Sequence, residues 1–217
     1  MADNLGMTQG GIILIGGGGH AKVVLDAIRC AGNSAAGYVD DSDSSAIRSM
    51  SICPVYLGTI DACRSAPSAL LIAIGDVGVR RKLIESLDAN SVFGSVIHPS
   101  VIIAQSAVIN DGVFVGPRAI INADARIGSH AIINSGAIVE HDCVIGLNTH
   151  IAPGAALGGG VRVGDHTLVG IGSTIIPGVR IGSGCTIGAG SVVTRDVEDG
   201  ATVVGVPARV LSQSVSE

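Results

Sequence analysis

Hydrophobic residues recur at every sixth position through the second half of the chain. From Ile97 to Val193, all seventeen positions spaced by six are Ile, Leu or Val, and the register never shifts. A period of six matches neither an α-helix nor a simple strand, whose side-chain periods are 3.6 and 2. It is typical of short flat strands joined by tight turns, with three hexads in each triangular turn of 18 residues. The pattern therefore predicts a parallel β-helix of about six turns.

Two further positions of the hexad follow the same rule. The residue after each aliphatic one is usually Gly or Asn, as at Gly116, Asn134 and Gly146. Because Gly and Asn tolerate positive φ, we expect these residues to form the tight turns. The fifth residue is small or β-branched, as at Ala119 and Thr149, which suits a crowded interior beside a corner.

The first half of the chain alternates apolar runs with helical patterns, which predicts a small Rossmann-like parallel α/β domain. Its first strand, at 12–15, leads through a glycine loop into a helical pattern at 22–28. Within that loop, Gly16, Gly18 and Ala21 fit the G-x-G-x-x-A form of the dinucleotide fingerprint. The other predicted elements are strands near 35–39, 69–74 and 92–97 and a helix at 77–87.

The two patterns divide the chain into two domains and define its fold class as α/β plus all-β. We place the Rossmann-like domain at 1–96 and the parallel β-helix at 97–217. The segment 194–211 no longer follows the hexad, and we expect it to cap the β-helix.

The glycine loop favours a phosphate-containing ligand, since backbone N–H groups at a helix N-terminus attract anions. Asp40 and Asp41 follow the second predicted strand, and Asp76 follows the third. Carboxylates at these strand ends suit sugar or base hydroxyl and amino groups. About 90 residues is half of the usual dinucleotide fold, so a nucleotide smaller than NAD fits better. A tight strand-to-helix turn without a ligand is the alternative.

Composition excludes several classes of protein. Hydrophobic residues make up 47% of the chain and charged residues 14%, which excludes disorder. The net charge is −5 without a basic cluster, so we expect no nucleic-acid partner. No apolar run approaches the ~18 residues of a membrane span, and the first residues lack the pattern of a signal peptide. Five scattered cysteines indicate free thiols in a reducing compartment, which predicts a cytoplasmic protein without a membrane partner.

His141 is the candidate general base. It is the third residue of its hexad, near a turn, where a side chain can leave the β-helix. Its neighbours 18 residues away, Ala123 and Gly159, are small, and we expect them to leave space for a substrate. Glu140 and Asp142 flank it, and a carboxylate that holds one ring nitrogen raises the basicity of the other. A solvated surface histidine is the alternative.

A second set of histidines raises the question of a metal. His130, Asn148 and His166 are spaced by 18 and so stack in one column. The β-helical carbonic anhydrases of the γ class bind zinc through three histidines, two of them five residues apart. Ile171 stands five residues after His166, so the triad is broken. We predict no metal and regard His130 and His166 as surface residues.

Both halves together resemble one family. The motifs that carry the resemblance are GGGGHAKVV, GYVDD, IAIGD, VIHPS, NSGAIVEHDCVIG, THIAPGA and VVGVPARV, in that order and across residues 11–211. They are similar to the bacterial nucleotide-sugar acetyltransferases of the PglD and NeuD type, which belong to the hexapeptide-repeat acyltransferases. The resemblance implies that the β-helix is left-handed, a property that the period alone does not give. It also implies a homotrimer with acetyl-CoA bound between neighbouring β-helices.

The resemblance further implies roles for individual residues. His141 is the expected general base, and Asp142 the carboxylate that tunes it. Residues expected to bind acetyl-CoA are His150, Ile171 and Ala189. Residues expected to bind the nucleotide sugar are Gly18, Gly19, His20, Asp40, Asp41, Gly75, Asp76 and Arg80. Asp76 takes a place where some relatives carry Asn, and Arg80 either reaches a phosphate or lies on an exposed helix face.

The expected reaction is transfer of acetyl from acetyl-CoA to the 4-amino group of a nucleotide-linked 4-amino-4,6-dideoxysugar. The resemblance favours GDP-perosamine, although no residue distinguishes guanine from uracil. The alternatives are an O-acetyltransferase acting on a sialic-acid-type sugar, since a hydroxyl also needs a base, and a non-catalytic nucleotide-sugar sensor.

Overall fold

A computed structural model describes residues 11–42, 45–63, 68–87 and 90–213. The segment 1–10, on which the expectation of no signal peptide rests, lies outside these residues. Within the described ranges, no helix is long and apolar enough to cross a membrane. All five cysteines are free thiols, and Cys63, Cys143 and Cys185 are buried.

The first unit is a three-stranded parallel sheet in the order β2–β1–β3. The central strand is buried along its whole length, which explains why an unbroken apolar run forms it. The elements of the unit are β1 (Ile12–Ile15), α1 (Gly19–Cys30), β2 (Ala35–Val39), β3 (Ala69–Ile72) and α2 (Val77–Ser86), with short 3-10 helices at Ala46–Ser49 and Ile60–Cys63.

The strand expected near 92–97 is shared between the two units, so the prediction of a fourth α/β strand is wrong. Phe93 forms only an isolated parallel bridge to Leu70. Val96–Ile97 is a separate strand, β4, which pairs with the β-helix. A Cβ atom at Gly94 would lie 3.0 Å from Cδ1 of Ile12, so the chain runs close beside the sheet before it enters the β-helix.

The second unit is a parallel β-helix with three flat faces. Its strands are β4 (Val96–Ile97), β5 (Ile102–Ile103), β6 (Val108–Ile109), β7 (Phe114–Val115), β8 (Ile120–Ile121), β9 (Arg126–Ile127), β10 (Ile132–Ile133), β11 (Ile138–Val139), β12 (Val144–Ile145), β13 (His150–Ile151), β14 (Ala156–Leu157), β15 (Arg162–Val163), β16 (Leu168–Val169), β17 (Thr174–Ile175), β18 (Arg180–Ile181), β19 (Thr186–Ile187) and β20 (Val192–Val193). Face 1 contains β4 and every third strand to β19, face 2 runs from β5 to β20, and face 3 from β6 to β18.

Residues 18 apart pair in register, which confirms the 18-residue turn. Ile133 pairs with Ile151, and Ile151 pairs with Val169. The aliphatic residue of most hexads is less than 4% exposed and belongs to one continuous core. Small residues of the fifth position, such as Ala119, are equally buried in that core.

The glycines that follow the aliphatic residues were expected to form tight turns with positive φ, and this expectation is wrong. Positive φ occurs two residues later, at positions such as Gly136, Asp142 and Gly154. Gly116 and Gly128 are required for a different reason. A Cβ atom would lie 2.8 Å from the backbone N of Ser135 at Gly116 and 2.7 Å from the backbone C of Gly146 at Gly128. The next turn of the β-helix therefore approaches too closely for a side chain.

A hairpin closes the C-terminal end of the β-helix, as expected for the segment 194–211. Strand β21 (Ala201–Gly205) extends face 1 in parallel with β19, and β22 (Ala208–Gln213) pairs with β21 in the antiparallel sense. Val197 and Val203 are buried in the β-helix core, so the hairpin covers its last turn.

The α/β unit packs on the first turns of face 1. The outward-facing side chains of Val96, Phe114 and Ile132 are buried there and share one apolar cluster with residues of α1 and β1, among them Ile28 and Leu14. This contact places the glycine loop and the start of α2 against the β-helix.

Candidate active site

His141 and Asp142 form a pair in the turn between β11 and β12, where face 2 meets face 3. Nδ1 of His141 lies 2.7 Å from Oδ2 of Asp142, and both side chains are more than 60% exposed. Asp142 has a φ of 60°, a backbone conformation in which Asp is tolerated better than most residues. The hydrogen bond that His141 makes to the carboxylate of Asp142 raises the pKa of His141. Because Nδ1–H donates to the carboxylate, Nε2 is the nitrogen that can accept a proton.

Gly159 was expected to leave space for a substrate. It instead provides space for the imidazole of His141. A Cβ atom on Gly159 would lie 2.5 Å from Nε2 of His141. The histidine therefore leans over the next turn of the β-helix. The backbone follows the same stacking, since Gly160 N donates to the carbonyl of His141 at 2.8 Å.

The glycine loop leaves the N-terminus of α1 open. Gly18 is the N-cap residue, and no side chain caps the helix. A Cβ atom on Gly18 or Gly19 would meet nothing within 4 Å. Gly17 N donates to Oδ2 of Asp40 at 2.6 Å, which fixes the loop against the end of β2. The arrangement can accept a phosphate at the first turn of α1.

The three aspartates expected at the nucleotide sugar all accept hydrogen bonds from backbone N–H groups. Asp40 also accepts from Ser42 N at 2.8 Å. Oδ1 of Asp41 accepts from Ile60 N at 2.9 Å, and Oδ1 of Asp76 accepts from Val79 N at 2.7 Å as the N-cap of α2. Their carboxylates therefore fix the backbone around the carboxyl ends of β2 and β3.

His150 joins the β-helix to the α/β unit. Its Nδ1–H donates to the carbonyl of Gly75 at 3.0 Å, and its Nε2 accepts from Nδ2 of Asn134 at 3.1 Å. Burial lowers the pKa of His150 to about 4, and the charge of Arg80 adds to this effect. The neutral ring with Nδ1 protonated satisfies both contacts. Asn134 was missed as a site residue, although it is the one Asn in a column whose other members are His98, Gly116, Ala152, Gly170 and Gly188.

His20 belongs to the same cluster. Its ring packs edge-on against Phe114, with 5.2 Å between centroids, and lies 6.3 Å from the ring of His150. Burial, followed by the charges of His150 and Arg80, lowers the pKa of His20 to about 4. The structure thus brings His20, Gly75 and His150 together, as a shared site requires.

Arg80 is not on an exposed helix face. It is 1% exposed, and its Nε and Nη2 donate to the side-chain and backbone oxygens of Asn148 at 2.7 and 2.9 Å. Burial lowers the pKa of Arg80 to about 10. The guanidinium therefore holds α2 against the β-helix. It does not extend toward solvent, where a phosphate would approach.

Ile171 and Ala189 lie at the corner where face 1 meets face 2, one turn apart. Gly190 N donates to the carbonyl of Ile171 at 2.8 Å, and the side chain of Ile171 is 61% exposed. His141 lies at a different corner of the same chain. The expected base and the expected acetyl-CoA contacts are therefore not brought together within one β-helix.

A cavity of about 380 Å³ separates the start of α2 from face 1. Its walls include Gly75, Gly78 and Arg81 on one side and His166 and Thr186 on the other. It continues the cluster around His150, since Gly75 belongs to both.

His130 and His166 were expected to be surface residues, but both are half-buried and contact other side chains. The ring of His130 packs edge-on against Phe93 at 4.4 Å, and burial lowers its pKa to about 4. Nδ1 of His166 accepts from Nδ2 of Asn148 at 3.0 Å. Within the part of the chain that the structure describes, no three His, Cys, Asp or Glu residues are grouped so that they could hold a metal ion.

Comparison with known proteins gives the same two units. Residues 11–87 match the PglD N-terminal domain, residues 118–153 the hexapeptide repeat of succinyl-transferase, and residues 160–195 the bacterial transferase hexapeptide of six repeats. Among curated proteins, UDP-N-acetylbacillosamine N-acetyltransferase from Bacillus subtilis (strain 168) is 39% identical over 110 residues, or 48% of this chain. That match spans 50% of the length of the curated relative.

Several solved structures match almost the whole chain. A variant of perosamine N-acetyltransferase from Caulobacter crescentus, in complex with CoA and GDP-perosamine, is 40% identical with a TM-score of 0.86, and the match covers 95% of this chain and 99% of that one. The acetyltransferase domain of PglB from Neisseria gonorrhoeae FA1090, in complex with acetyl coenzyme A, is 32% identical with a TM-score of 0.86, over 94% of this chain and 100% of that one.

The identity over nearly the full length establishes the class. The chain belongs to the PglD/NeuD-type nucleotide-sugar N-acetyltransferases, and its β-helix is the left-handed one of the hexapeptide-repeat enzymes.

Proposed function

We propose that the protein transfers the acetyl group of acetyl-CoA to the 4-amino group of a nucleotide-linked 4-amino-4,6-dideoxysugar, with GDP-perosamine as the acceptor. The observation that carries the proposal is the exposed His141–Asp142 pair on a β-helix that is joined to a PglD-type N-terminal domain. The Caulobacter relative, which binds CoA and GDP-perosamine, supports the choice of both substrates.

The proposed mechanism is direct attack, with no covalent enzyme intermediate. The acceptor amine attacks the thioester carbonyl of acetyl-CoA and forms the C–N bond, while Nε2 of His141 takes the proton that the nitrogen loses. The tetrahedral intermediate then collapses, the C–S bond breaks, and the imidazolium returns the proton to the leaving thiolate of CoA. Asp142 stabilises the imidazolium and holds the ring through Nδ1.

The α/β unit is proposed to hold the nucleotide sugar. The open amides at Gly18 and Gly19 suit its diphosphate. His20 and Gly75, which lie beside the proposed acetyl-CoA residue His150 at the junction of the two units, suit the part of the ligand that approaches the β-helix. The Bacillus relative is named for a UDP-linked sugar. The choice of guanine as the base of the nucleotide is therefore tested by comparing GDP-linked and UDP-linked sugars directly.

We further propose that the active enzyme is a homotrimer. His141 and the acetyl-CoA residues Ile171 and Ala189 lie at different corners of one chain, so a site that uses all of them is completed between two chains. The outward-facing residues of face 2 are consistent with a covered surface, since all but one are apolar. They are Ile102, Ile120, Ile138, Ala156, Thr174 and Val192.

The test is release of the CoA thiol from acetyl-CoA in the presence of GDP-perosamine, a UDP-linked 4-amino sugar or a sialic acid. Turnover with GDP-perosamine at the highest kcat/KM supports the proposal. Preference for the UDP-linked sugar corrects the nucleotide, and turnover with the sialic acid alone replaces N-acetylation by O-acetylation. Binding of a nucleotide sugar without turnover of any acceptor indicates a sensor.

A further inference from the structure

One corner of the β-helix, where face 3 meets face 1, carries side chains at positions where glycine would be less strained. His130, Asn148 and His166 have φ values of 59°, 54° and 55° and are spaced by 18 residues. The same column holds Gly112 below them and Gly184 above them. A left-handed backbone disfavours side chains, although Asn and His are tolerated better than most. We call these three residues the docking column.

Each member of the docking column faces the α/β unit. The ring of His130 packs against Phe93. Asn148 contacts the beginning of α2, and His166 lines the cavity that Gly78 and Arg81 of α2 also line. Within this column, the residues that carry a side chain at positive φ are therefore the ones that meet the other unit.

Asn148 is the centre of this contact. It is fully buried, and its side-chain amide makes three hydrogen bonds. Oδ1 accepts from Nε of Arg80 at 2.7 Å, while Nδ2 donates to the carbonyl of Val77 at 3.0 Å and to Nδ1 of His166 at the same distance. One side chain thus holds the first turn of α2 at two points and links it to the next turn of the β-helix.

The position of α2 determines the position of Gly75. Only Asp76, the N-cap of α2, separates Gly75 from the helix. The carbonyl of Gly75 receives the bond from His150 on the β-helix. A shift of α2 would therefore displace the loop that the proposed function assigns to the nucleotide sugar. The acetyl-CoA residues are held independently, since Ile171 and Ala189 lie on another corner and His150 stays in β13 with its bond to Asn134.

From this geometry we infer that Asn148 and the docking column are positioning residues for the nucleotide sugar. They hold the Gly75 loop against the β-helix and so set the affinity for the acceptor, without a direct part in acetyl-CoA binding or proton transfer. This inference rests on the proposed function for its kinetic consequence.

The decisive variant is Asn148→Gly. Glycine accepts the positive φ without strain, so the backbone of the turn is kept and only the side-chain contacts are lost. The matched control is Arg118→Gly, which makes the same replacement at another positive-φ turn (φ 61°), at the exposed corner between face 1 and face 2. With GDP-perosamine and acetyl-CoA, Asn148→Gly is expected to raise the KM of the sugar by about tenfold or more, as expected for loss of hydrogen bonds to a buried charge.

The KM of acetyl-CoA and kcat at saturation are expected to stay within about threefold for Asn148→Gly, since a positioning residue for one ligand does not act on the other. Arg118→Gly lies on the corner that also carries Ile171 and Ala189, so it is the control for the sugar alone and should leave the KM of GDP-perosamine near its wild-type value. Equal rises in both KM values, or an unchanged KM for the sugar, would overturn the inference.

Asn148→Asp serves as the conservative variant. It keeps an oxygen for Nε of Arg80 but loses the donor to Val77 and His166, so its KM for the sugar should lie between those of wild type and Asn148→Gly. If Asn148→Gly fails to fold, the deciding measurement is Asn148→Asp against wild type: a raised KM for the sugar with an unchanged KM for acetyl-CoA supports the inference, and an unchanged KM for the sugar overturns it.

Hydrogen–deuterium exchange separates the inference from the proposed function. Amides of 77–86 should exchange faster in Asn148→Gly than in wild type and Arg118→Gly, whether or not acetyl transfer is observed. Faster exchange with no turnover in wild type would refute the proposed acceptor and keep the docking role. Unchanged exchange in α2 would refute the docking role.

Discussion

Nδ1 of His141 and Oδ2 of Asp142, its neighbour in the chain, lie 2.7 Å apart, and the bond fixes which ring nitrogen is free. A turn residue with positive φ aims its carboxylate back at the preceding histidine. The pair therefore needs no residue from elsewhere in the fold, and this makes its chemistry directly testable.

Replacement of the base should abolish most of the rate and preserve binding. His141→Asn is expected to lower kcat by about 10²–10⁴-fold, which is the usual contribution of a general base. Calorimetric titration with CoA and with GDP-perosamine should give dissociation constants near those of wild type. A decrease in kcat of less than about threefold would exclude His141 as the base.

The pH profile should report on Asp142. Asp142 raises the pKa of His141, so the acidic limb of kcat/KM should lie above the ordinary histidine value of about 6.5. A base with a raised pKa loses activity as the pH falls through that raised value. Asp142→Asn should therefore move the acidic limb to lower pH and reduce the rate on the plateau. An unmoved limb contradicts the role of the carboxylate.

Gly159 should matter through His141 alone. The Cβ of Gly159→Ala would displace the imidazole, so kcat should fall while both ligands still bind. The control is a double-mutant cycle with His141→Asn. Once the imidazole is gone, the additional alanine should have little effect, and a full additive loss would show that the methyl group acts on something else.

The site should be shared between chains. Ile171→Glu is expected to block acetyl-CoA, and His141→Asn removes the base. Mixed trimers assembled from equal amounts of these two inactive variants should recover about a quarter of the wild-type activity, since random assembly pairs an intact His141 with an intact Ile171 at that frequency. Sedimentation velocity should show a trimer, and no recovery after mixing would place the site within one chain.

The buried histidines should make stability depend on pH. His20, His130 and His150 each have a pKa lowered to about 4 by burial, so the unfolded state binds more protons below about 6.5. The contribution of these three histidines to the free energy of unfolding should be constant above that value and should decrease as the pH falls from about 6.5 toward 4. Urea unfolding between pH 7.5 and 5.5 measures this slope.

Two variants test the source of that slope. His20→Gln cannot take up the proton and should reduce the slope by about one proton. His141→Asn is the control, because the raised pKa of His141 acts with the opposite sign: its contribution is present at low pH and is lost as the pH rises through the raised value. His141→Asn should therefore not flatten the dependence of the unfolding free energy on pH. A flattened dependence would show that the slope comes from His141 and not from the buried histidines.

The hexad period determined the β-helix from sequence alone. When an aliphatic residue stands at every sixth position, only one pairing register of the turns buries all of these residues. Ile121, Ile127 and Ile133 lie in the core as predicted. Strands Ile12–Ile15 and Ala35–Val39 have the predicted bounds, because short apolar runs between turn residues encode them locally. The proximity of His141 to Asp142 was equally readable, since the two residues are adjacent.

The tertiary structure alone decided the contacts between the two units. Arg80 meets Asn148 across 68 residues of sequence, and His150 meets Gly75 across 75. No period or motif links such positions, so Arg80 was expected either to reach a phosphate or to lie on an exposed helix face, and His130 was expected on the surface. The glycines that follow the aliphatic residues, such as Gly116 and Gly128, show the same limit. Glycine is required there because the backbone of the next turn approaches closely, and the sequence alone does not reveal that approach. Local patterns specify each unit, whereas burial between units depends on which surfaces meet after both have folded.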